Sequence, residues 1–376
     1  AIKVVANSVY GQTGAKISTF CDIDVAASTT AVGRMLLLYS KRIIEECYGD
    51  NVVETSIGPV KTKAEYVYGD TDSVFFNLNL HTIDTNKPLK GKDNLGLSIE
   101  VAQNVCRMVT KFLKKPHDFE YEKTFLPFCL LSKKRYVGLL YELDPNKCYR
   151  NDMGIVLKRL DNAPCVKQTF GGVIDIIMKD RDVDKAIDFV KDYLRDLIDG
   201  KIPMDKLVVS KSIRSYYKNP KQIAHKVLAD RITARDAGNK ISSGDRVPYV
   251  YIVNKNKNAL QGDRIETPSF IVENNLQIDY EFYITNQIMK PLLQLFGLVV
   301  EGYWESMSNM SKLSSHRREI RKIKNEFKDD EKKMEKKIEQ LKAKEAKTII
   351  FDPFLIELSN KKNKMKNLSC YFKKKG

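Results

Sequence analysis

Several features that would indicate a particular class of protein are missing from this sequence. The seven cysteines stand singly, without a Cys-x-x-Cys pair, so we expect free thiols in a reducing compartment and no zinc or iron–sulfur site. The four histidines form no cluster that suggests a metal site. No apolar run is long enough to cross a membrane, and no signal peptide is present. We therefore expect an intracellular protein without a membrane partner. Because the chain begins Ala-Ile-Lys, we also expect a fragment or a processed product.

The composition is that of a globular protein with an acidic partner. A chain of 376 residues, with 43% hydrophobic and 30% charged residues, is long enough for two or more domains with well-formed cores. Its formal net charge is +16. Nucleic acid is the commonest partner of so basic a chain. A membrane surface is the main alternative, but no long basic amphipathic helix carries Trp or Phe on its apolar face.

The most informative stretch runs from Tyr66 to Phe76, where apolar and aromatic residues flank Gly-Asp-Thr-Asp. This pattern predicts two short strands joined by a tight turn. In an extended chain Asp70 and Asp72 would face the same side, where two carboxylates suit a hard cation such as Mg²⁺. An ordinary solvated turn and a metal-dependent sugar transferase are alternatives at this point. The residues after the turn do not follow the pattern of a calcium-binding EF-hand loop.

A second candidate site lies at residues 1–14. Lys3, Asn7 and Tyr10 are spaced so that a helix places all three on one face, where they could meet a phosphate, a sugar edge and a base pair. Gly11 and Gly14 are expected to end this helix. The alternative is a partly buried helix end with an incidental lysine.

Taken together, these motifs resemble one family. The matching blocks are Lys3-x-x-x-Asn7-Ser8-x-Tyr10-Gly11, Tyr68-Gly69-Asp70-Thr71-Asp72-Ser73, Ser132-Lys133-Lys134-Arg135-Tyr136, Gly244–Tyr249 and Asn286–Leu292. They strongly resemble family B DNA polymerases, more narrowly the replicative delta type and its relatives in large DNA viruses of eukaryotes. The resemblance covers most of residues 1–305, and a sugar transferase would explain none of the other blocks.

The resemblance implies a role for each matching residue at the incoming nucleotide. Lys3 would contact the phosphates of the deoxynucleoside triphosphate (dNTP), and Asn7 would lie beside it. Tyr10 would press on the minor-groove side of the new base pair. Ser8 and Gly11 complete this nucleotide-binding motif at the end of the fingers helix.

The resemblance also implies the catalytic and DNA-binding residues. Asp72 would bind the catalytic magnesium ions directly, and Asp70 would be a second ligand or would support the site. The residues assigned to primer-template DNA are Lys133, Lys134, Arg135, Tyr136 and Arg159. Two ions roughly 3.5–4 Å apart would stabilise the attacking and leaving oxygens.

Part of this site is expected to lie outside the sequence. The family's other aspartate belongs to a motif, Asp-x-x-Ser-Leu-Tyr-Pro, that does not occur here, and the proofreading exonuclease motifs are also absent. The resemblance therefore predicts the C-terminal portion of a polymerase, unable to polymerise alone and working in a nucleus or at a viral replication site. The alternatives are a non-catalytic DNA-binding remnant and a split polymerase subunit.

The expected fold is α+β, a palm of antiparallel sheet and helices with a mainly helical thumb. The expected domains are the end of the fingers helix (1–14), the palm (15–153), the thumb (154–310), a charged helical arm (311–350) and a basic tail (351–376). Residues 25–48 are predicted to form a largely buried palm helix, and 119–123 alternate as a strand does. The arm is interpreted as a solvated helix without a partner.

The basic tail contains a candidate peptide for a sliding clamp. Leu368 stands three residues before the aromatic pair Tyr371 and Phe372, and one helical turn would aim all three at one apolar pocket. The usual first residue of such a peptide is Gln, whereas Met365 stands here. A disordered tail without a partner is the alternative interpretation.

Overall fold

A computed structural model describes residues 2–155, 157, 161–256 and 258–362. The side chains of Lys3, Asn7, Lys92, Asp93, Asn239 and Lys362 are outside this description. The described residues form two compact units, one ending at Met153 and the next beginning at Gly154. Both units combine helices with antiparallel strands, as predicted. Among the described residues no helix is both long and apolar enough to span a membrane.

The first unit contains three helices and seven strands in its described part. They are α1 (Ile2–Thr13), α2 (Ile23–Tyr48), β1 (Asn51–Thr55), β2 (Gly58–Thr62), β3 (Glu65–Asp70), β4 (Ser73–Asn77), α3 (Gly91–Phe112), β5 (Thr124–Ser132), β6 (Arg135–Tyr141) and β7 (Cys148–Met153). β1 pairs with β2 and β3 pairs with β4, whereas β5, β6 and β7 form one sheet. All of these pairings are antiparallel, so short turns can connect the neighbouring strands.

The core of this unit lies between the end of α2, α3 and the first four strands. Ile44, Leu80 and Val109 are among its buried members. The helix predicted at 25–48 is present, but the prediction that it is largely buried is wrong. Met35 is 61% exposed and Leu38 is 54% exposed, because the strands and α3 cover only the last turns of α2.

Two further local predictions need correction. Gly11 lies inside α1, which continues to Thr13, so only Gly14 follows the helix end. The strand expected at 119–123 is absent, and β5 begins at Thr124. The hydroxyl of Thr110 accepts from the Phe119 N–H at 3.0 Å and lies 3.1 Å from its carbonyl oxygen. The Thr110 side chain on α3 therefore takes the place that a neighbouring strand would have.

The second unit is mainly helical. Its helices and strands are α4 (Pro164–Lys179), α5 (Val183–Ile198), β8 (Val209–Ser212), α6 (Ala224–Arg235), β9 (Arg246–Tyr251), β10 (Ile265–Glu266), α7 (Pro268–Glu273), α8 (Tyr280–Phe282), α9 (Met289–Ser306), α10 (Met310–Glu326), α11 (Glu331–Ile350) and α12 (Asp352–Lys362). A π-helical segment, Tyr283–Ile288, joins α8 to α9. Strands β8 and β10 flank β9 in a small antiparallel sheet. The buried Tyr283 hydroxyl joins this sheet to the helices, because it donates to the Leu207 carbonyl at 2.6 Å and accepts from the Tyr251 N–H.

The charged arm folds back as a helical hairpin instead of standing free in solvent. α10 and α11 both pack on α9, and Leu313, Ala346 and Ile350 are buried in these contacts. The buried His316 ring lies 3.2 Å from the Glu301 carboxylate and 2.7 Å from that of Glu345. The interpretation as a solvated helix without a partner is therefore wrong, because its apolar residues pack against other helices of the same unit.

Candidate functional site

The β3–β4 hairpin ends in a strained two-residue turn. Asp70 pairs with Ser73, so Thr71 and Asp72 form the turn that the sequence predicts. Thr71 has φ +58°, and the Asp72 N–H donates to the Asp70 carbonyl at 2.7 Å, which is the hydrogen bond of a γ-turn. A positive φ is unusual for a β-branched residue and persists only where the surroundings hold it. The extended geometry assumed for the two aspartates is wrong, because Asp72 lies beyond the end of β3.

A second tight turn closes the β5–β6 hairpin. Ser132 pairs with Arg135, so Lys133 and Lys134 form the turn, and Lys134 has φ +61°. The basic run Lys133-Lys134-Arg135 stands between apolar segments and so predicts a strand that begins at Lys133, which is wrong by two residues. A residue with positive φ cannot continue an extended strand, so the strand begins at Arg135.

The two turns are bonded to each other. The Lys134 backbone N–H donates to the Tyr68 hydroxyl at 2.8 Å. The Lys134 Nζ donates to both carboxylate oxygens of Asp70, at 2.6 and 2.9 Å. Backbone and side chain of one lysine thus fix the first turn at two points, and the ionised pair gives stronger hydrogen bonds than neutral groups would.

An aromatic cluster holds the two hairpins together beneath these turns. Its members are Tyr68, Phe75, Phe125, Phe128 and Tyr136. Their contacting rings have centroids 5.2–6.3 Å apart, in tilted, stacked and edge-to-face arrangements. Each such pair contributes about 0.5–1.5 kcal/mol beyond its burial. The cluster can therefore maintain a strained turn that would relax on an isolated hairpin.

The ion pair makes the two aspartates unequal. The hydrogen bond from Lys134 lowers the pKa of Asp70 below its ordinary value of 3.8, with a further contribution from the Thr71 hydroxyl. The same bond raises the pKa of Lys134 above 10.5. With its pKa lowered, the Asp70 carboxyl is ionised at every pH well above 3.8. With its pKa raised, the Lys134 amine is protonated at every pH well below 10.5. The pair is therefore ionised throughout about pH 5–9.

Asp72 is the carboxylate left open to a ligand. It is exposed, and it forms no ion pair with the part of the chain that the structure describes. An exposed carboxylate in a turn of this kind is suited to Mg²⁺, which prefers oxygen ligands and keeps several waters. Over residues 2–155, 157, 161–256 and 258–362 no group of three or more His, Cys, Asp or Glu is arranged to hold a metal.

The residues predicted to bind the nucleotide lie on α1. Tyr10 is 43% exposed, and apart from the neighbouring residues of α1 no described atom lies within 4 Å of the position that a Cβ on Gly11 would take. Ser8 donates its hydroxyl hydrogen to the Val4 carbonyl at 2.7 Å. The side chains of Lys3 and Asn7 lie outside the described residues.

The predicted DNA-binding residues have different environments. Lys133 is exposed in its turn, and Lys134 is engaged with Asp70. Tyr136 is only 7% exposed and belongs to the aromatic cluster, so its ring supports the hairpins. Arg159 is outside the described part of the chain, as are the clamp residues Leu368, Tyr371 and Phe372. Their roles stay predictions.

Sequence reasoning missed the contacts between the two turns. Tyr68 and Lys134 both stand in quoted motifs, but 66 residues separate them. Nothing in either motif signals that the hydroxyl of one accepts the backbone N–H of the other. The alternation of aromatic residues in both hairpins was the available signal, because faces of that kind must pack against something.

Comparison with known proteins identifies the family to which these hairpins belong. A family model described as DNA polymerase family B matches residues 1–299. The chain belongs to this family. It is 46% identical over 364 residues to a DNA polymerase of Pyramimonas orientalis virus, covering 96% of this chain and 28% of the relative.

Other relatives include a second viral polymerase and a cellular one. A DNA polymerase of Acanthamoeba polyphaga mimivirus is 47% identical over 243 residues, covering 63% of this chain and 14% of the relative. The DNA polymerase delta catalytic subunit of Oryza sativa subsp. japonica is 34% identical over 304 residues, covering 80% of this chain and 26% of the subunit. The matches thus cover between 14% and 28% of the length of these three relatives. Both turns of the candidate site lie within the family match, whereas α10, α11 and α12 lie beyond it.

Proposed function

We propose that this chain carries part of the nucleotidyl-transfer site of a DNA-directed DNA polymerase, which extends a primer on a DNA template. The observation that carries the proposal is the strained turn, in which Asp72 is an open carboxylate while Lys134 neutralises Asp70. Membership of the family and relatives named DNA polymerase support the same function.

The proposed chemistry requires negative charge to be stabilised at one phosphorus atom. The primer 3′-oxygen attacks the α-phosphorus of a dNTP, the bond to the bridging oxygen breaks, and pyrophosphate leaves. Two magnesium ions would supply charge stabilisation to the attacking and leaving oxygens. In this chain Asp72 would hold metal, and Asp70 with Lys134 would fix the position of Asp72. α1 would present Lys3, Asn7 and Tyr10 to the nucleotide, as the resemblance implies.

We propose that the remaining metal ligands come from polymerase residues outside this chain. Asp70 is occupied by Lys134, and no third acidic side chain joins the two aspartates among the described residues. The chain would then be the C-terminal portion of the enzyme. We expect the 376-residue chain alone to bind primer-template without extending it in Mg²⁺ and dNTPs.

Adding the rest of the polymerase distinguishes the proposed function from its alternatives. Extension that appears only when both portions are present is expected. Extension by the chain alone would show that its own residues complete the metal site. Duplex binding with no extension in the combined enzyme would identify a non-catalytic DNA-binding remnant.

A mutant cycle tests whether Lys134 acts on the primer or through Asp70. Lys134→Ala, Asp70→Asn and the double variant are compared in the combined enzyme for kcat, for the KM of the dNTP and for primer affinity. If Lys134 mainly positions the turn, each single change lowers kcat by about 10–100-fold and the double variant is no worse.

Additive losses would contradict this positioning role. A loss of primer affinity in Lys134→Ala that Asp70→Asn does not share would show that the lysine holds the primer independently. Lys87→Ala is the control, because Lys87 lies in the same unit, is exposed, makes no ion pair with the described residues and stands in none of the matched motifs.

A further inference from the structure

One face of α11 carries a row of lysines that form no ion pair with the residues the structure describes. With about 100° of rotation per residue, Lys336, Lys337 and Lys344 fall on one side of the helix. All three are exposed, and none forms an ion pair within the described part of the chain. We call these three residues the lysine ridge. The far side carries Glu331, Glu335 and Glu345, together with the buried Ala346.

The charges along α11 only partly compensate one another. Like charges four residues apart, as at Glu331 and Glu335, destabilise a helix, whereas opposite charges three residues apart, as at Lys336 and Glu339, stabilise it. The sector of the helix that contains Lys336, Lys337 and Lys344 holds no acidic residue of α11, so its exposed surface is positively charged.

The ridge is held in place by the opposite face of the same helix. Ala346 and Ile350 are buried, and α11 packs on α9. Lys342 lies on that side and reaches Glu301 of α9, with Nζ 3.5 Å from the carboxylate. The lysine ridge is therefore presented by a helix that is packed against its own unit, so binding an anion would not require the helix to become ordered first.

We propose that the lysine ridge binds the phosphate backbone of duplex DNA. Lys336 and Lys344 are eight residues apart on the helix, about 12 Å along its axis, which matches about three to four base pairs of duplex. Arg321 and Lys324 on α10 are also exposed and form no ion pair with the described residues. This inference rests on the proposed function, because a polymerase produces duplex DNA. It concerns a surface outside residues 1–299, which the family model matches.

The test is the salt dependence of duplex affinity. Binding of the full 376-residue chain to a fluorescent blunt-ended duplex is followed by anisotropy over a series of KCl concentrations, in EDTA and without nucleotide. The triple variant K336Q/K337Q/K344Q should make the negative slope of log K against log[KCl] less steep by about 2–3, because each phosphate contact contributes about −0.9 to it. K336R/K337R/K344R keeps the charges and should keep the slope.

A second triple variant controls for the loss of net charge. Lys185, Lys201 and Lys206 lie in the same unit, and each is already ion-paired with a neighbouring aspartate. K185Q/K201Q/K206Q removes the same three charges and should leave the slope nearly unchanged. Equal slopes for the two Gln triples would overturn the proposal. So would a ridge variant that loses binding to phosphatidylserine vesicles and retains duplex binding.

The ridge and the catalytic proposal can fail separately. Blunt duplex in EDTA offers neither metal nor a recessed primer end, so the salt slope tests the ridge without the catalytic step. If the ridge variant keeps its slope while Asp72→Asn abolishes extension, only the ridge is wrong. If the ridge variant makes the slope of log K against log[KCl] less steep while the Asp72→Asn enzyme extends primers normally, only the catalytic assignment is wrong.

Discussion

Asp72→Asn should lower kcat for primer extension by the combined polymerase on the order of 10³-fold. The amide is neutral and cannot hold a metal ion as a carboxylate does, and metal stabilisation of the transferring phosphoryl group is worth several kcal/mol. Asp72 is exposed and makes no ion pair with the described residues, so the variant should fold normally. Single-turnover extension at saturating dNTP measures the chemical step, and circular dichroism checks the fold.

Asp70→Asn is the informative comparison. It removes the same charge two residues away, but its carboxylate is bonded to Lys134 instead of being open to a ligand. Its effect should be smaller, about 10–100-fold, which is typical of residues that orient a metal ligand. An Asp70→Asn enzyme more impaired than Asp72→Asn would reverse the roles assigned to the two aspartates. Normal extension by Asp72→Asn would remove the metal site from this turn.

The sequence predicted the existence of this hairpin better than its geometry. Alternating aromatic residues around Gly-Asp-Thr-Asp are enough to indicate two strands and a turn. They do not indicate that Thr71 adopts a positive φ, because a β-branched residue avoids that region when only local preferences act. The hydrogen bonds from Lys134 and the packing of Tyr136 against Tyr68 supply the constraint. Both Lys134 and Tyr136 belong to the distant β5–β6 hairpin. Tertiary contacts of this kind leave no local pattern.

The same limit explains the turn at Lys133 and Lys134. Neither residue is a usual turn former, so three basic residues in a row between apolar segments predict a strand. Pairing of Ser132 with Arg135 decides where the chain reverses. Periodicity likewise predicted helices at 25–48 and in the arm, but it did not indicate which other elements would cover them. As a result, burial was overestimated for α2 and underestimated for α10 and α11.

Gly138→Ala should destabilise the first unit although it adds a single methyl group. A Cβ at this position in β6 would lie 2.8 Å from the Pro127 carbonyl oxygen and 2.7 Å from a ring carbon of Phe125. The oxygen belongs to the backbone of β5, where the strand pairing is irregular between Phe125 and Phe128, so the two strands must separate. Overpacking of this kind costs about 1–3 kcal/mol in the free energy of unfolding.

Gly33→Ala is a matched control that should change the free energy of unfolding in the opposite direction. Gly33 lies inside α2 with no atom within 4 Å of the added Cβ, so alanine should stabilise the helix by about 0.5–1 kcal/mol. Urea unfolding measures both changes, and amide exchange in β6 shows whether the loss is local. Since Phe125 also belongs to the aromatic cluster, Gly138→Ala should loosen the support of the Lys134 turn. If Gly138→Ala leaves the free energy of unfolding unchanged, β5 must move to accommodate the methyl group at no cost. The aromatic cluster could not then hold Thr71 in its strained conformation.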